Sequence, residues 1–225
     1  MQPLVFGYGD SLQFGPVGPG GAAAEPWWLS GGIAAGDCIV AYQAKGAADY
    51  AASLVNLNGP GVNDATPLTG APTFNAALGW VGVAGCSGLQ VTGYATAGGV
   101  YSVLVRETGT PNYVIYVDTV AASGLSLASR GAGNSWALIN GANLVYAGRN
   151  GVHALITQMG ADQEVGYFNG VQMGTNWTAL TVPNGLTLIC GPLTNIASSI
   201  AAVVWYSTRI TPAQVLAVST AMAAL

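Results

Sequence analysis

From residue 77 onward, hydrophobic positions fall in short runs of β-forming residues with glycine, asparagine and proline between them. ALGWVGVA (77–84), GLQVTGYA (88–95), YSVLVRE (101–107), NYVIYVDTV (112–120) and LSLASR (125–130) each suit a strand. So do WALINGANLVYAG (136–148), HALITQM (153–159), EVGYFNGVQMG (164–174), LTLICG (186–191) and AAVVWYS (201–207). Runs so spaced, with turn residues between them, predict an antiparallel sandwich. Asn140-Gly141-Ala142-Asn143 and Asn169-Gly170 lie inside two of the runs and predict hairpins, because Asn and Gly accept the positive φ of tight turns. Alternation places Val103, Val105, Val114, Tyr116, Leu155, Phe168, Leu188 and Val204 on the inward side. After Arg209 the period changes. Thr211 suits an N-cap and Pro212 the first helical position, while Val215, Leu216, Ser219 and Met222 share one face. Residues 211–223 therefore predict a closing helix.

Upstream of residue 76 the pattern is weaker. Residues 33–57 are rich in Ala, with Gln and Lys, but glycines interrupt them and no i, i+3, i+4 stripe is sustained. Turns and one helix are expected there, then an irregular loop through Asn58-Gly59-Pro60-Gly61 and Thr66-Pro67 to Phe74. Residues 1–31 read as an extended arm. GPVGPGGAAAEP (15–26) suits neither helix nor ladder, and apolar stations stand at Leu4-Val5-Phe6, Leu12-Phe14 and Trp27-Trp28. Phe6, Phe14, Trp27 and Trp28 are the expected anchors of this arm, against its own domain or a neighbour's. Alternatively, the tryptophans close one end of the core. The expected division is 1–31 arm, 32–75 irregular lead-in wrapping one end, 76–207 sandwich and 211–223 helix. The arm is expected to make contacts between subunits, so that the protein works as a homo-oligomer or lattice member.

Composition narrows the function. Five basic and nine acidic side chains make up 6% of 225 residues, against about 25% in an ordinary soluble chain. Five scattered Lys and Arg cannot build a phosphate-neutralising footprint, which excludes nucleic acid as a partner on that basis. With 51% hydrophobic residues, intrinsic disorder is also excluded. The most apolar stretch, Ile196–Tyr206, falls well short of the ~20 residues of a bilayer span, and the first residues lack the pattern of a signal peptide. No membrane insertion is expected. Cys38, Cys86 and Cys190 are odd in number and far apart, and His153 is the sole histidine. They read as reduced, buried thiols of a protein made in a reducing cytosol, with no zinc cage.

Three motifs offer chemistry. Gly9-Asp10-Ser11-Leu12 looks like the nucleophile block of GDSL esterases, which also need an Asp-x-x-His; here Asn150 precedes His153 at that spacing. Asp162 and Glu164 have the alternate spacing that places two carboxylates on one strand face, the arrangement that glucanases of sandwich folds employ for the carboxylate pair of glycoside hydrolysis. They also suit a plain polar turn before a strand. Trp177, in GTNWT, offers a stacking platform for a glycan. No catalytic residue, metal ligand or cofactor is assigned, and an enzyme is not expected; a carbohydrate-active enzyme or carbohydrate-binding module is the alternative, and an esterase at Ser11 a remote one.

A resemblance appears when the segments are taken in order. GVHALITQMGADQEVGYFNGVQMGT (151–175) is similar to the paired strands with Tyr-x-Asn-Gly of LamG/concanavalin A-like jelly rolls. ICG (189–191) and AAVVWYSTRITPAQVLAVSTAM (201–222) resemble the following strand and the closing strand-helix element of that family. GDCIVAYQAKGAADYAASLVNLNGPG (36–61) and ALGW (77–80) resemble the leading segment of the LamG-like proteins of tailed bacteriophages. The resemblance implies an all-β, concanavalin A-like (LamG-type) jelly-roll sandwich. It also implies a structural virion protein of capsid surface or tail, made in the bacterial host cytoplasm. Its partners would be other virion proteins and a host-surface glycan. Acidic calcium ligands of the family's rim have no counterpart carried over here.

Overall fold

A computed structural model describes residues 25–83, 88–92, 102–109, 115–116, 126–130, 135–140, 142–147, 152–158, 163–176, 186–189 and 198–225. The described strands are β1 (Cys38–Gln43), β2 (Thr66–Pro67), β3 (Thr73–Asn75), β4 (Gly79–Val81), β5 (Leu89–Thr92), β6 (Ser102–Gly109), β7 (Ile115–Tyr116) and β8 (Ser126–Arg130). They continue as β9 (Ser135–Asn140), β10 (Ala142–Ala147), β11 (Val152–Gln158), β12 (Gln163–Phe168), β13 (Val171–Asn176), β14 (Leu186–Ile189) and β15 (Ser198–Tyr206). Two α-helices are described: the single turn α1 (Tyr50–Ser53) and α2 (Pro212–Ala223).

An eight-stranded sheet runs β13-β12-β11-β6-β15-β4-β3, with β1 also paired to β15. A four-stranded sheet, β10-β9-β8-β7, and a three-stranded sheet, β14-β5-β2, complete the architecture, and β14 lies beside β7. Every pairing is antiparallel among the described strands. This is the expected all-β jelly-roll sandwich with a short C-terminal helix. The hairpins also fall where Asn and Gly predict them: Asn169 (φ 48°) and Gly170 (φ 79°) join β12 to β13, and Asn140 faces Ala142 between β9 and β10.

The large sheet is covered on both faces. On one, Val40, Tyr42, Trp80, Val103, Val105, Ile200, Val203 and Trp205 pack with Leu89 and Val91 of β5. On the other, Cys38, Ala41, Leu104, Val152, Val165, Tyr167, Ala202, Val204 and Tyr206 pack with Trp27, Ile33 and the helix residues Val215, Val218 and Met222. Sheet, sheet and helix thus form three layers, and β15 reads as an apolar run from Ile200 to Tyr206 because neither face meets water there. Of the expected inward residues, Val103, Val105 and Val204 are buried and Phe168 is half-buried. Tyr116, Leu155 and Leu188 fall in β7, β11 and β14, while Val114 lies outside the described residues.

Two expectations need correction. Residues 33–57 contain, besides α1, the strand β1, which pairs along β15 at Val40↔Trp205 through Gln43↔Ala202. Its Cys-Ile-Val-Ala-Tyr run outweighs the helix-favouring alanines that follow it, because burial against β15 decides the conformation. The helix stripe also differs at one position, with Val218 in place of Leu216. Val215, Val218, Ser219 and Met222 are buried, whereas Leu216 is 50% exposed. Spacing of i, i+3, i+4, i+7 from Val215 accounts for this set and leaves Leu216 about 100° away from its centre line.

Two bulges tune the central strands. Pairing steps from Cys38↔Tyr206 to Val40↔Trp205, so Cys38 and Val40 face opposite layers despite their even spacing. On β15 it steps from Ile200↔Glu107 to Ala202↔Arg106, leaving Ala201 as the extra residue. The carbonyl of Ala201 accepts from Ala44 N (2.8 Å) and Lys45 N (3.0 Å) where β15 exchanges β1 for β4 as its neighbour. Gly79 (φ +99°) allows this junction, since a Cβ there would lie 2.1 Å from the Ile200 carbonyl oxygen.

Candidate functional site

Three places in the described residues hold notable polar or aromatic groups. The first is the Trp27–Leu29 3₁₀ turn. Trp27 is buried, donates from Nε1 to Gln43 Oε1 (3.1 Å) and meets Trp28 edge-on at 5.5 Å. Trp28 is half-buried, with Nε1 donating to Asn58 Oδ1 (3.3 Å), and its carbonyl accepts from Tyr206 Oη (2.6 Å). Both rings therefore dock on their own domain, across the end of β1 and against α2. Phe6 and Phe14, the other expected anchors, lie outside the described residues.

The second is the loop 56–64, built around Asn56, which is only 1% exposed. Asn56 Oδ1 accepts from Ala41 N (3.0 Å) and Asn58 N (3.1 Å), and Nδ2 donates to Ile39 O (3.2 Å) and Val62 O (2.9 Å). Leu57 N donates to Ala41 O (2.8 Å). One side-chain amide plus one peptide thus replace a strand along the free edge of β1, closing it to edge pairing. Asp64 holds the turn by accepting from Asn56 N (2.8 Å) and Gly61 N (3.2 Å), and Asn58 Nδ2 donates to Cys38 O (2.7 Å) and Ala35 O (3.2 Å). Every one of these contacts serves the scaffold. Sequence reading found the turn in Asn58-Gly59-Pro60-Gly61 but missed Asn56, because a side chain imitating backbone leaves no periodic signal.

The third is the pair Arg106 and Glu107 on β6. Neighbours in sequence, they leave the strand on opposite sides. Arg106 donates from Nη1 to the Met222 carbonyl at the C-terminal end of α2, where a cation complements the helix dipole; partial burial pulls its pKa down. Glu107 is 2% exposed and in register with Ile200 in the layer between the sheets. Tyr167, on β12, has its pKa raised by partial burial, opposed by the nearby charge of Arg209.

Cys38 is a free, buried thiol whose pKa burial pushes up to about 12. Burial and the neighbouring Cys38 also raise Tyr206. Both groups are held neutral, and a thiol so held is a poor nucleophile or metal ligand. Cys86 and Cys190 lie outside the described residues, as do Ser11, Asn150, Asp162 and Trp177. Glu164 pairs with Thr157 and Asn176 in β12, and His153 with Val105 and Phe168 in β11. Among the described residues, no three His, Cys, Asp or Glu side chains gather as a metal site, and no helix is long and apolar enough to cross a membrane.

No protein family and no curated protein matches the sequence. Similarity appears at the level of solved structures. The botulinum neurotoxin serotype D binding domain superposes with a TM-score of 0.61 at 14% identity, covering 83% of this chain and 52% of that one. The botulinum neurotoxin DC binding domain in complex with rat synaptotagmin II gives 0.60 at 15% identity, covering 84% and 52%. The same DC domain in complex with SialylT gives 0.60 at 15% identity over the same shares. The chain spans about half the length of the structures it matches, and at such identities the likeness fixes the fold: a β-sandwich of the kind found in these binding domains.

Proposed function

We propose that this chain is a non-catalytic recognition protein of a bacteriophage virion, on the capsid surface or the tail, that uses its jelly roll to contact a protein or a glycan. The observation carrying the recognition role is the superposition of more than four-fifths of the chain on toxin binding domains, including complexes with synaptotagmin II and SialylT. A fold alone does not confer a ligand. The phage context rests on the ordered motifs of residues 36–222, which resemble LamG-like phage proteins. Scarcity of charge supports a surface shared with other virion proteins or with further copies in a homo-oligomer.

The test is a glycan array combined with pull-down of virion particles lacking the protein. Capture of either class supports the reading, and loss of glycan binding in Trp177→Ala assigns Trp177 as the contact. The rival reading is catalytic. Turnover of a polysaccharide abolished by Glu164→Gln, or of an ester abolished by Ser11→Ala, overturns the proposal.

A further inference from the structure

α2 is joined to the rest of the molecule differently at its root, its body and its far end. The root is clamped. Ser102 Oγ on β6 donates to Thr208 O (2.8 Å) and accepts from Ile210 N (3.0 Å), just ahead of the N-cap Thr211. The body is held by apolar contact, with Val215, Val218 and Met222 in one cluster with Trp27, Leu104 of β6 and Val152 of β11. The same buried face carries a hydroxyl that this layer does not satisfy. Ser219 is 2% exposed, and its Oγ has no hydrogen-bond partner among the described residues. Nor does it turn back to the carbonyl one turn earlier, as the exposed Thr220 Oγ1 does to Leu216 O (2.8 Å). At the far end Arg106 Nη1 donates to the Met222 carbonyl. Among the described residues this is the only hydrogen bond that ties residues 212–223 to anything beyond their own flanking residues.

We propose that α2 is a hinged strap. It pivots at Thr211 on the Ser102 clamp, unlatches at Arg106 and lifts off the large sheet while the sandwich stays folded. A buried polar group without a partner disfavours the state that buries it, and water satisfies the Ser219 hydroxyl as soon as the helix lifts. The clamp, by contrast, keeps the root in place, because both of its hydrogen bonds lie outside the helix. Opening uncovers an apolar strip of the sheet that includes Leu104 and Val152, which are fully buried while the strap is down. The second face of the large sheet is therefore gated. Once lifted, a helix of this length is marginal in water, so its amides exchange from the open state. Local opening of this kind takes less free energy than global unfolding and leaves the rest of the fold protected.

The test is native-state hydrogen exchange of the full chain, read by mass spectrometry. Peptides covering residues 212–223 are expected to exchange at least about tenfold faster than those covering β6 and β15. Ser219→Ala removes the orphaned hydroxyl and is expected to slow exchange in α2 about tenfold. Arg106→Gln releases the latch and is expected to speed it severalfold. Val91→Ala weakens the layer on the opposite face of the sheet. It is expected to speed exchange in β6 and β15 and leave α2 at its own rate. Exchange of α2 in step with β6 and β15 in the unaltered protein overturns the proposal. So does a Ser219→Ala variant in which α2 exchanges at an unchanged or faster rate, a comparison that stands whether or not the other two variants fold.

Discussion

Asn56 replaces a short strand with one side chain, and that makes it the most consequential polar residue described. Substituting alanine leaves the buried Ala41 N–H and the part-buried Ile39 and Val62 carbonyls without their partners. A buried orphan group costs about 1–3 kcal/mol and the carbonyls can turn to water, so Asn56→Ala should lower the unfolding free energy by about 1–3 kcal/mol in urea titration. Glycines give the complementary contrast. Gly79→Ala pushes a methyl into the Ile200 carbonyl in a backbone region that side chains avoid, and should cost about 2 kcal/mol or more. A methyl added at Gly36 would meet no atom within 4 Å, and the backbone there has no positive φ, so Gly36→Ala should change stability by less than about 0.5 kcal/mol. Equal melting temperatures for the two variants would refute the bulge-junction account.

At the scale of elements, α2 is held by its ends as well as by its stripe. Thr211 Oγ1 accepts from Gln214 N (3.3 Å) and Gln214 Oε1 accepts from Thr211 N (2.8 Å), a capping box. Thr211→Ala should cost ~1 kcal/mol and lower the melting temperature by a few degrees without changing the m-value. This start was legible in the sequence, as was the Asn169-Gly170 hairpin, because caps and tight turns are written in residues next to one another. β6 and β15 were legible from β-branched and aromatic runs. β1 was not, since its partner lies some 160 positions away and the alanines after it carry a stronger local signal. Val215, Ser219 and Met222 of the helix face were legible, and one position was not: Leu216 is the more hydrophobic choice, but geometry against the sheet selects Val218. Arg106 and Glu107 adjoin in sequence, and strand alternation sends them to opposite faces.

For the whole molecule, three layers explain part of the scarcity of charge, since a sheet covered on both faces has little surface for charge to occupy. They also set the response to alkali. An ordinary cysteine releases its proton near 9.0, whereas Cys38 holds its own to about 12, and Tyr206 is raised as well. Between those values the unfolded chain binds fewer protons than the folded one, so stability is full below about pH 9 and declines as the pH rises further. Thermal melts should be flat from pH 7 to 8.5 and fall beyond it, with a shallower fall in Cys38→Ala. Iodoacetamide should leave Cys38 unmodified at pH 8 until denaturant is added. The position of β15 carries one more consequence. It pairs with β1, β4 and β6, yet it lies after residue 197, so a ribosome releases all three partners long before the strand that joins them. Until then the nascent sheet has open edges and two wet faces, a state prone to pairing with other chains. Synthesis halted before residue 198 should therefore yield insoluble product, whereas a chain carried through α2 has both its edges paired and its second face covered.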